Sequence, residues 1–337
     1  MSRGARSPWG SWAVRPAGLS GRWADCPPGL MGRGAVGPVV HSGRGDYGLV
    51  GRWACGAVGQ KVPGACGPWF ESADMGYMEV LAVVNEKGGC GKTAVVVSLS
   101  AALAAAGARV LVVDADVQQN AGLVLSGGVT HPAGPVLGDV LMGESAALAV
   151  RPSAVPGVDL LPAGVHLADT VDRLSAELGR ERRLRLALSE LSGPWDVVLI
   201  DSPPTRGLLT VNVLNSADAG LIVPVDPGVF AVAGLVSLLG AVEQVRRYLD
   251  CKSLAVRKIV LSRVSRNKVA ADVERELRAA YGELVAATTI PQAVAVEESH
   301  ARFLPVSLHS PRAAVSRAFQ SLAVELFPCL LHCRRVA

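Results

Sequence analysis

Two lysines flank a glycine-rich turn near residue 90 of this 337-residue chain. Residues 85–93 read Asn-Glu-Lys-Gly-Gly-Cys-Gly-Lys-Thr. The run departs from the phosphate-loop pattern G-x-x-x-x-G-K-S/T at its first glycine, where the chain has Glu86, and it fits the final three positions. Apolar residues 80–84 precede the turn and an alanine-rich stretch follows it, which predicts strand, turn and helix. Glycines let successive backbone N–H groups face a phosphate, and the helix N-terminus adds partial positive charge.

The residue types in this loop predict nucleotide binding. The ammonium of Lys92 would hold the terminal phosphates of a nucleotide, and the hydroxyl of Thr93 would ligate the Mg²⁺ that bridges them. Lys87 is an additional cation, for which the common pattern has no counterpart. A turn with two solvated lysines is the alternative, and the motifs that follow in the chain disfavour it. The residues predicted to contact the nucleotide here are Lys87, Gly88, Gly89, Cys90, Gly91, Lys92, Thr93 and Ala94.

Carboxylates follow two apolar runs further along the chain. Asp114 and Asp116 come after the predicted strand 109–113, and Asp201 ends the apolar run 197–200. Ligands of open α/β sheets bind beyond the carboxyl ends of strands. Asp116 could therefore orient or deprotonate an attacking water, and Asp201 could hold Mg²⁺ directly or through a water. A solvated turn is the alternative for the first pair. The predicted metal ligands are Thr93, Asp116 and Asp201.

These motifs resemble those of the ParA/MinD family of ATPases. Residues 87–93 are similar to the deviant Walker A motif of that family, and residues 114–120 to its D-x-D-P-Q-x-N segment, with Val117 in place of proline. Residues 201–212 track D-x-P-P-S-L-G-x-L-T-x-N, except that Thr205 and Arg206 replace Ser-Leu. The resemblance runs from about Met78 to Leu326 and favours the ParA branch over MinD.

Function and site roles follow from this resemblance. It implies ATP and Mg²⁺ as cofactors and an ATP-dependent homodimer in which Lys87 reaches the phosphates of the partner subunit. Asp116 would be the hydrolytic carboxylate, so the implied catalytic residues are Lys87, Lys92 and Asp116. Pro291 would belong to a loop that covers the base. The ATP-bound dimer would bind duplex DNA nonspecifically in the cytoplasm, on the nucleoid, until a ParB-like centromere-binding partner stimulates hydrolysis.

Nonspecific DNA binding needs local positive charge, because residues 78–337 hold 25 basic and 25 acidic side chains. Three groups are candidates, and a merely solvated surface is the alternative for each residue. The groups are Arg263, Arg266 and Lys268; Arg302, Arg312 and Arg317; and Arg246, Arg247, Lys252, Arg257 and Lys258.

Two other functions stay open at this point. A MinD-like positioning ATPase would bind membrane through a C-terminal helix, but the apolar tail 326–335 is short and Pro328 interrupts it, so membrane binding is disfavoured. A nucleotide-dependent scaffold or autorepressor would need no hydrolysis. The presence of Lys87, Lys92, Asp116 and Asp201 argues against lost catalysis.

Residues 1–77 differ in composition from the rest of the chain. They hold 17 of the 37 glycines and five of the six tryptophans, without apolar periodicity. Their eight basic and four acidic residues account for the whole net charge of +4. They contain no apolar core typical of a signal peptide. We expect this segment to be disordered or untranslated, with the true start at Met78 or Met75; a basic arm that touches nucleic acid or membrane is the alternative. The seven cysteines form no C-x-x-C pair, which favours a reducing cytosol.

Alternating β-branched and helical stretches from Met78 onward predict an α/β fold, a P-loop NTPase-like and mostly parallel sheet with helices on both faces. One domain is expected over residues 78–327, followed by a short tail, 328–337. The predicted strands are 79–84, 109–113, 158–161, 196–200, 220–225, 257–261 and 285–290. The predicted helices are 93–106, 167–191, 230–249, 270–281 and 312–326, the last with Ser310 as its N-cap.

Overall fold

The structure of the protein, a computed structural model, describes residues 78–130, 133–328 and 330. The predictions for residues 1–77, and for the tail beyond Leu330, therefore lie outside the described residues. All of the motifs that predict chemistry are within the described part of the chain.

Seven strands form one sheet, in the order β3-β4-β2-β5-β1-β6-β7. Every pairing is parallel except that of β3 with β4. Central strands are continuous apolar runs because helices cover both faces of the sheet. The predicted sheet is thus confirmed. The strands are β1 Glu79–Val83, β2 Val110–Asp114, β3 Arg151–Pro152, β4 Val158–Leu161, β5 Val197–Asp201, β6 Gly220–Val225 and β7 Val256–Leu261.

Helices cover the two faces of the sheet and build two apolar cores. Along β1, Leu81 and Val83 join the core under α1 and α12, whereas Val80 and Ala82 join the core under α6, α7 and α8. This alternation follows from the two-residue period of a strand. The helices are α1 Lys92–Ala105, α2 Asn120–Leu125, α3 Leu137–Leu141, α4 Ala146–Ala149, α5 Leu167–Leu174, α6 Arg183–Ser189, α7 Leu208–Ser216, α8 Ala231–Tyr248, α9 Lys268–Tyr281, α10 Val294–Ala301, α11 Val306–His309 and α12 Ala314–Leu326.

None of the helices formed by the described residues has both the length and the apolar character needed to cross a bilayer.

The predicted strand 285–290 is wrong. The segment runs beside β7 but makes a single parallel bridge there, between Val285 and Ile259. The carboxylate of Glu325 accepts the backbone N–H groups of Ala287 at 2.8 Å and Thr288 at 2.9 Å. Ala286 and Ile290 still donate to the Ile259 and Leu261 carbonyls of β7, each at 2.8 Å, but a side chain of α12 takes the two N–H groups between them and interrupts the regular pairing. The seventh strand is instead the two-residue β3, which the sequence did not predict.

Two helix predictions also need correction. The predicted helix 167–191 is two helices, α5 and α6, because Gly179 between them adopts a left-handed conformation with φ of 66° that a helix cannot continue. The predicted N-cap Ser310 does not cap α12, which begins at Ala314 after Ala313. The carbonyl of Ser310 accepts the backbone N–H of Ala313 at 3.0 Å and closes the preceding turn.

Candidate nucleotide-binding site

The carboxyl ends of five adjacent strands converge at one edge of the sheet. The glycine-rich loop follows β1, and Asp201 at the end of β5 is the register partner of both Val83 in β1 and Asp114 in β2. Asp226 follows β6 and Ser262 follows β7 directly. Parallel pairing brings these distant residues together, as expected for a ligand site in an open α/β sheet.

The glycine-rich loop has the backbone of a phosphate-binding turn. Gly89 and Gly91 have φ angles of 73° and 92°, which residues with a side chain rarely adopt, and Gly91 leads directly into α1. The Asn85 side chain donates to the Pro224 carbonyl at 2.6 Å and accepts the N–H of Lys87 at 3.0 Å. β6 thereby fixes the start of the loop. At its end, Lys92 is only 7% exposed, so its ammonium is held in the site.

Thr93 and Asp201, two of the predicted metal ligands, form a hydrogen-bonded pair beside the glycine-rich loop. The Thr93 hydroxyl donates to Asp201 Oδ2 at 2.7 Å. Asp201 Oδ1 is buried and has no hydrogen-bond partner. Burial, and then the nearby carboxyl of Asp114, raise the pKa of Asp201 well above its usual value, although Lys92 partly opposes this. A buried carboxylate that has an oxygen without a hydrogen-bond partner is stabilised by a bound cation.

Asp114 and Asp116 occupy different environments although they are two residues apart. Asp114 is fully buried and accepts backbone N–H groups of Asp116 at 3.1 Å and Gly122 at 2.7 Å. Burial raises the pKa of Asp114 to about 7. Asp116 Oδ1 accepts the N–H of Gln118 at 3.0 Å. Asp114 therefore orders the end of β2, and Asp116 lies two residues beyond that end.

The oxygen atoms of Thr93 and Asp201 suit Mg²⁺ rather than a metal ion whose ligands all come from the protein. Among the described residues there is no group of three or more His, Cys, Asp or Glu side chains that could hold a metal ion. Mg²⁺ keeps several waters and binds to proteins through one or two carboxylates together with substrate phosphates. The Thr93 hydroxyl and the Asp201 carboxylate, next to a phosphate loop, are such a set.

Lys87 lies on the exposed side of the loop. Its ammonium contacts Asp226 Oδ2 of the same chain at 3.1 Å, and its side chain is 43% exposed. Ala94 lies half-buried in the first turn of α1. Pro291 forms a bridge with Val264, the third residue after β7 ends, so it lies on a segment beside that strand end. The structure thus brings Lys87, Lys92, Thr93, Asp116 and Asp201 to one edge of the sheet.

Several contacts of the loop were not predicted from the sequence. Ser262 donates to the Cys90 carbonyl at 2.6 Å, and Arg263 donates to the Gly89 carbonyl at 3.1 Å. Glu86 forms two hydrogen bonds with Arg206. The rule that ligands lie beyond strand ends, applied to β7 as it was to β2, would have singled out Ser262. No local pattern marks the pairing of Glu86 with Arg206.

Cys90 is part of the packed interior of the loop. Its side chain is buried, and burial raises the pKa of its thiol. The thiolate, which is the reactive form, is therefore disfavoured.

The candidate DNA-binding residues differ in whether their side chains are already bonded to other residues of the chain. Arg257 pairs with Glu79 at 2.6 Å, and Lys258 donates to the Glu283 carbonyl at 2.6 Å, so these two side chains are held within the fold. Arg263 contacts the phosphate loop, as described above. Two exposed basic side chains near the start of α9 stay candidates: Arg266, just before the helix, and Lys268, its first residue.

Comparisons with known proteins agree with this geometry. A family model described as an AAA domain matches residues 78–256. The chromosome partitioning protein ParA of Caulobacter vibrioides is 39% identical over 253 residues, which are 74% of this chain and 94% of that protein. The sporulation initiation inhibitor protein Soj of Bacillus subtilis is 32% identical over 74% of this chain and 98% of its own.

A solved structure is also similar. It is the cobyrinic acid a,c-diamide synthase from Mycobacterium smegmatis with a bound ATP analog and magnesium, which is 31% identical. It covers 73% of this chain and 93% of its own, with a TM-score of 0.63. The family model and the two partitioning relatives, together with the phosphate loop and its carboxylates, show that this chain belongs to the ParA family of P-loop ATPases.

Proposed function

We propose that this protein is a Mg²⁺-dependent ATPase that partitions DNA. The observation that carries the proposal is the convergence, at one sheet edge, of buried Lys92, the Thr93–Asp201 pair and Asp116. The partitioning role is supported by the relative named a chromosome partitioning protein, which is 39% identical along nearly its whole length. The ATP analog and magnesium of the similar solved structure support the choice of cofactors.

Each residue of the site would have a distinct part in hydrolysis. Lys92 would bind the terminal phosphates and offset the charge that develops on them. Asp116 would orient the attacking water and accept its proton. Thr93 and Asp201 would hold Mg²⁺, which supplies further positive charge against the phosphate oxygens. Pro291 would contact the base, as the resemblance to the ParA/MinD family implies, and its segment lies beside the end of β7.

Lys87 would act on the second subunit of an ATP-bound homodimer. Its half-exposed ammonium pairs with the half-buried carboxylate of Asp226 in the same chain, near the surface, so the contact can be exchanged at low cost. A phosphate of the partner's nucleotide would be a stronger acceptor for this ammonium. The dimer would bind duplex DNA nonspecifically on the nucleoid, in the cytoplasm. A ParB-like partner would stimulate hydrolysis and release the subunits.

ATP turnover, measured with and without duplex DNA, tests the enzyme, and co-sedimentation with DNA or with liposomes in the presence of ATP tests the binding surface. We expect slow turnover that Lys92→Ala abolishes, and ATP-dependent sedimentation with DNA. Sedimentation with liposomes alone would support a membrane-positioning ATPase instead. ATP binding without any turnover would support the scaffold or autorepressor.

A further inference from the structure

Two consecutive residues after β7, Ser262 and Arg263, donate hydrogen bonds to the phosphate loop. The buried hydroxyl of Ser262 donates to the Cys90 carbonyl at 2.6 Å, and the Arg263 guanidinium donates to the Gly89 carbonyl at 3.1 Å. A Cβ added to Gly91 would also come within 3.7 Å of Ser262 Oγ. The residues after β7 thus bond to two successive residues of the loop and lie close to the third, Gly91.

The backbone at Arg263 makes this double contact possible. Successive side chains of an extended strand point to opposite faces. Arg263 has a φ of 55°, a left-handed conformation that is uncommon for a residue with a long side chain. The Ser262 N–H still pairs with the Val225 carbonyl at 2.9 Å, the turn follows at Arg263, and both side chains reach the same loop. Such strain persists where the surrounding contacts require it, and it concentrates at functional sites.

The direction of the anchored carbonyls sets the direction of the loop N–H groups. In a planar trans peptide, the carbonyl of one residue and the N–H of the next point in opposite directions. Holding the Gly89 and Cys90 carbonyls on β7 therefore turns the N–H groups of Cys90 and Gly91 away from β7. Successive N–H groups facing one side form an anion-binding concavity.

We propose that Ser262 and Arg263 are positioning residues that preset the N–H groups of Cys90 and Gly91 for a phosphate. Ser262 is the principal anchor because its hydrogen bond is buried, whereas that of Arg263 is exposed. The inference rests on the proposed nucleotide function. It adds that residues after β7, the last strand, orient the phosphate loop already in the nucleotide-free protein.

The test combines ADP affinity in the presence of MgCl₂, by calorimetry, with backbone ¹⁵N order parameters in the nucleotide-free protein. We expect Ser262→Ala to weaken ADP binding roughly tenfold, the effect of one lost buried hydrogen bond, and to lower the order parameters of the Cys90 and Gly91 amides. Ser262→Thr keeps the hydroxyl and should restore both. Arg263→Asn keeps a residue that tolerates the left-handed backbone and should weaken binding about threefold.

Ser100→Ala is the matched control. Ser100 is equally buried and donates to a carbonyl within α1, Val97 at 3.0 Å, away from the loop. It should leave ADP affinity and the loop amides unchanged. The proposal is overturned if Ser262→Ala binds ADP like the unaltered protein with unchanged order parameters. Failure of the unaltered protein to bind ADP would instead refute the proposed function, and the order parameters would still decide whether β7 braces the loop.

Discussion

Arg206 and Glu86 are joined by two parallel hydrogen bonds, from Nε to Oε1 at 2.6 Å and from Nη2 to Oε2 at 2.9 Å. Glu86 replaces the first glycine of the phosphate-loop pattern, and Arg206 replaces a leucine of the family pattern in the loop after β5. Arg206 also contacts Ser237 in α8. The two residues that depart from these patterns thus form an ion pair with each other. Through Arg206, this pair connects the phosphate loop to α8.

Reversing the charge at Arg206 should loosen the phosphate loop. Arg206→Glu places two carboxylates side by side, and we expect ADP release to accelerate roughly threefold, as suits an exposed pair. The exchanged double variant, Glu86→Arg with Arg206→Glu, should restore the original rate. Stopped-flow release of a fluorescent ADP measures both. If the double variant releases ADP as fast as the single one, the pair has no role in holding the loop.

Removing the Asp116 carboxylate should separate binding from turnover. Asp116→Ala loses the group proposed to orient the water, so the turnover number should fall about 100-fold or more, while ATP affinity stays near its original value. Asp172→Ala, at an exposed position on α5, is the control and should be without effect. Undiminished turnover in Asp116→Ala would falsify the assigned role.

Lys87 should be needed for the dimer and not for the monomer's own nucleotide. Lys87→Ala should abolish dimerisation with a nonhydrolysable ATP analogue, as seen by analytical ultracentrifugation, and should leave binding of that analogue to the monomer intact. Asp226→Asn removes the intrachain competitor at 3.1 Å and should dimerise at least as tightly as the unaltered protein. Lys252→Ala, which alters another exposed lysine, is the control. Normal dimerisation of Lys87→Ala contradicts action across the interface.

The raised pKa of Asp201 predicts a pH-dependent stability. Between the usual pKa of an aspartate and its raised pKa, the folded protein binds a proton that the unfolded chain does not, so stability falls as pH rises through this window. Asp201→Asn lacks this loss. The free energy of unfolding of Asp201→Asn minus that of the unaltered protein should therefore increase with pH, by about 1.4 kcal/mol per pH unit in the window.

Urea unfolding at pH 5 and pH 8 in EDTA measures this difference, since EDTA removes cations that would stabilise the carboxylate. Asp172→Asn, at an exposed position, serves as the control. An equal gain for Asp201→Asn at both pH values would show that Asp201 is ionised in the fold at pH 5.

DNA binding is best tested at Arg266 and Lys268. Reversing both to Glu should weaken ATP-dependent duplex binding and reduce the salt slope by about two units, one per lost phosphate contact. ATP affinity should not change, whereas Arg263→Glu would disturb the Gly89 carbonyl and confound the test. Arg173→Glu with Arg182→Glu, at two exposed positions outside the three candidate groups, controls for the change in net charge. Unaltered DNA binding would exclude this patch.

Local sequence patterns predicted correctly the features that depend only on residues adjacent in the chain. The glycine turn after an apolar strand, the carboxylates that end β2 and β5, and the alternation of strands and helices each depend on a few adjacent residues, and the structure places them as expected. The break at Gly179 and the loss of the strand at 285–290 were missed. The first depends on a single left-handed residue, and the second on Glu325, which lies nearly forty residues away along the chain.

By itself, the sequence determined the phosphate loop, the carboxylates and the family, because these reside in short runs whose chemistry does not depend on distant contacts. Only the tertiary structure decided which residues brace and flank that loop: Ser262 on Cys90, Asp226 on Lys87 and Arg206 on Glu86. Each partner lies more than a hundred positions along the chain from the loop. The order of the parallel strands, fixed by packing of the whole sheet, is what brings their carboxyl ends to one edge.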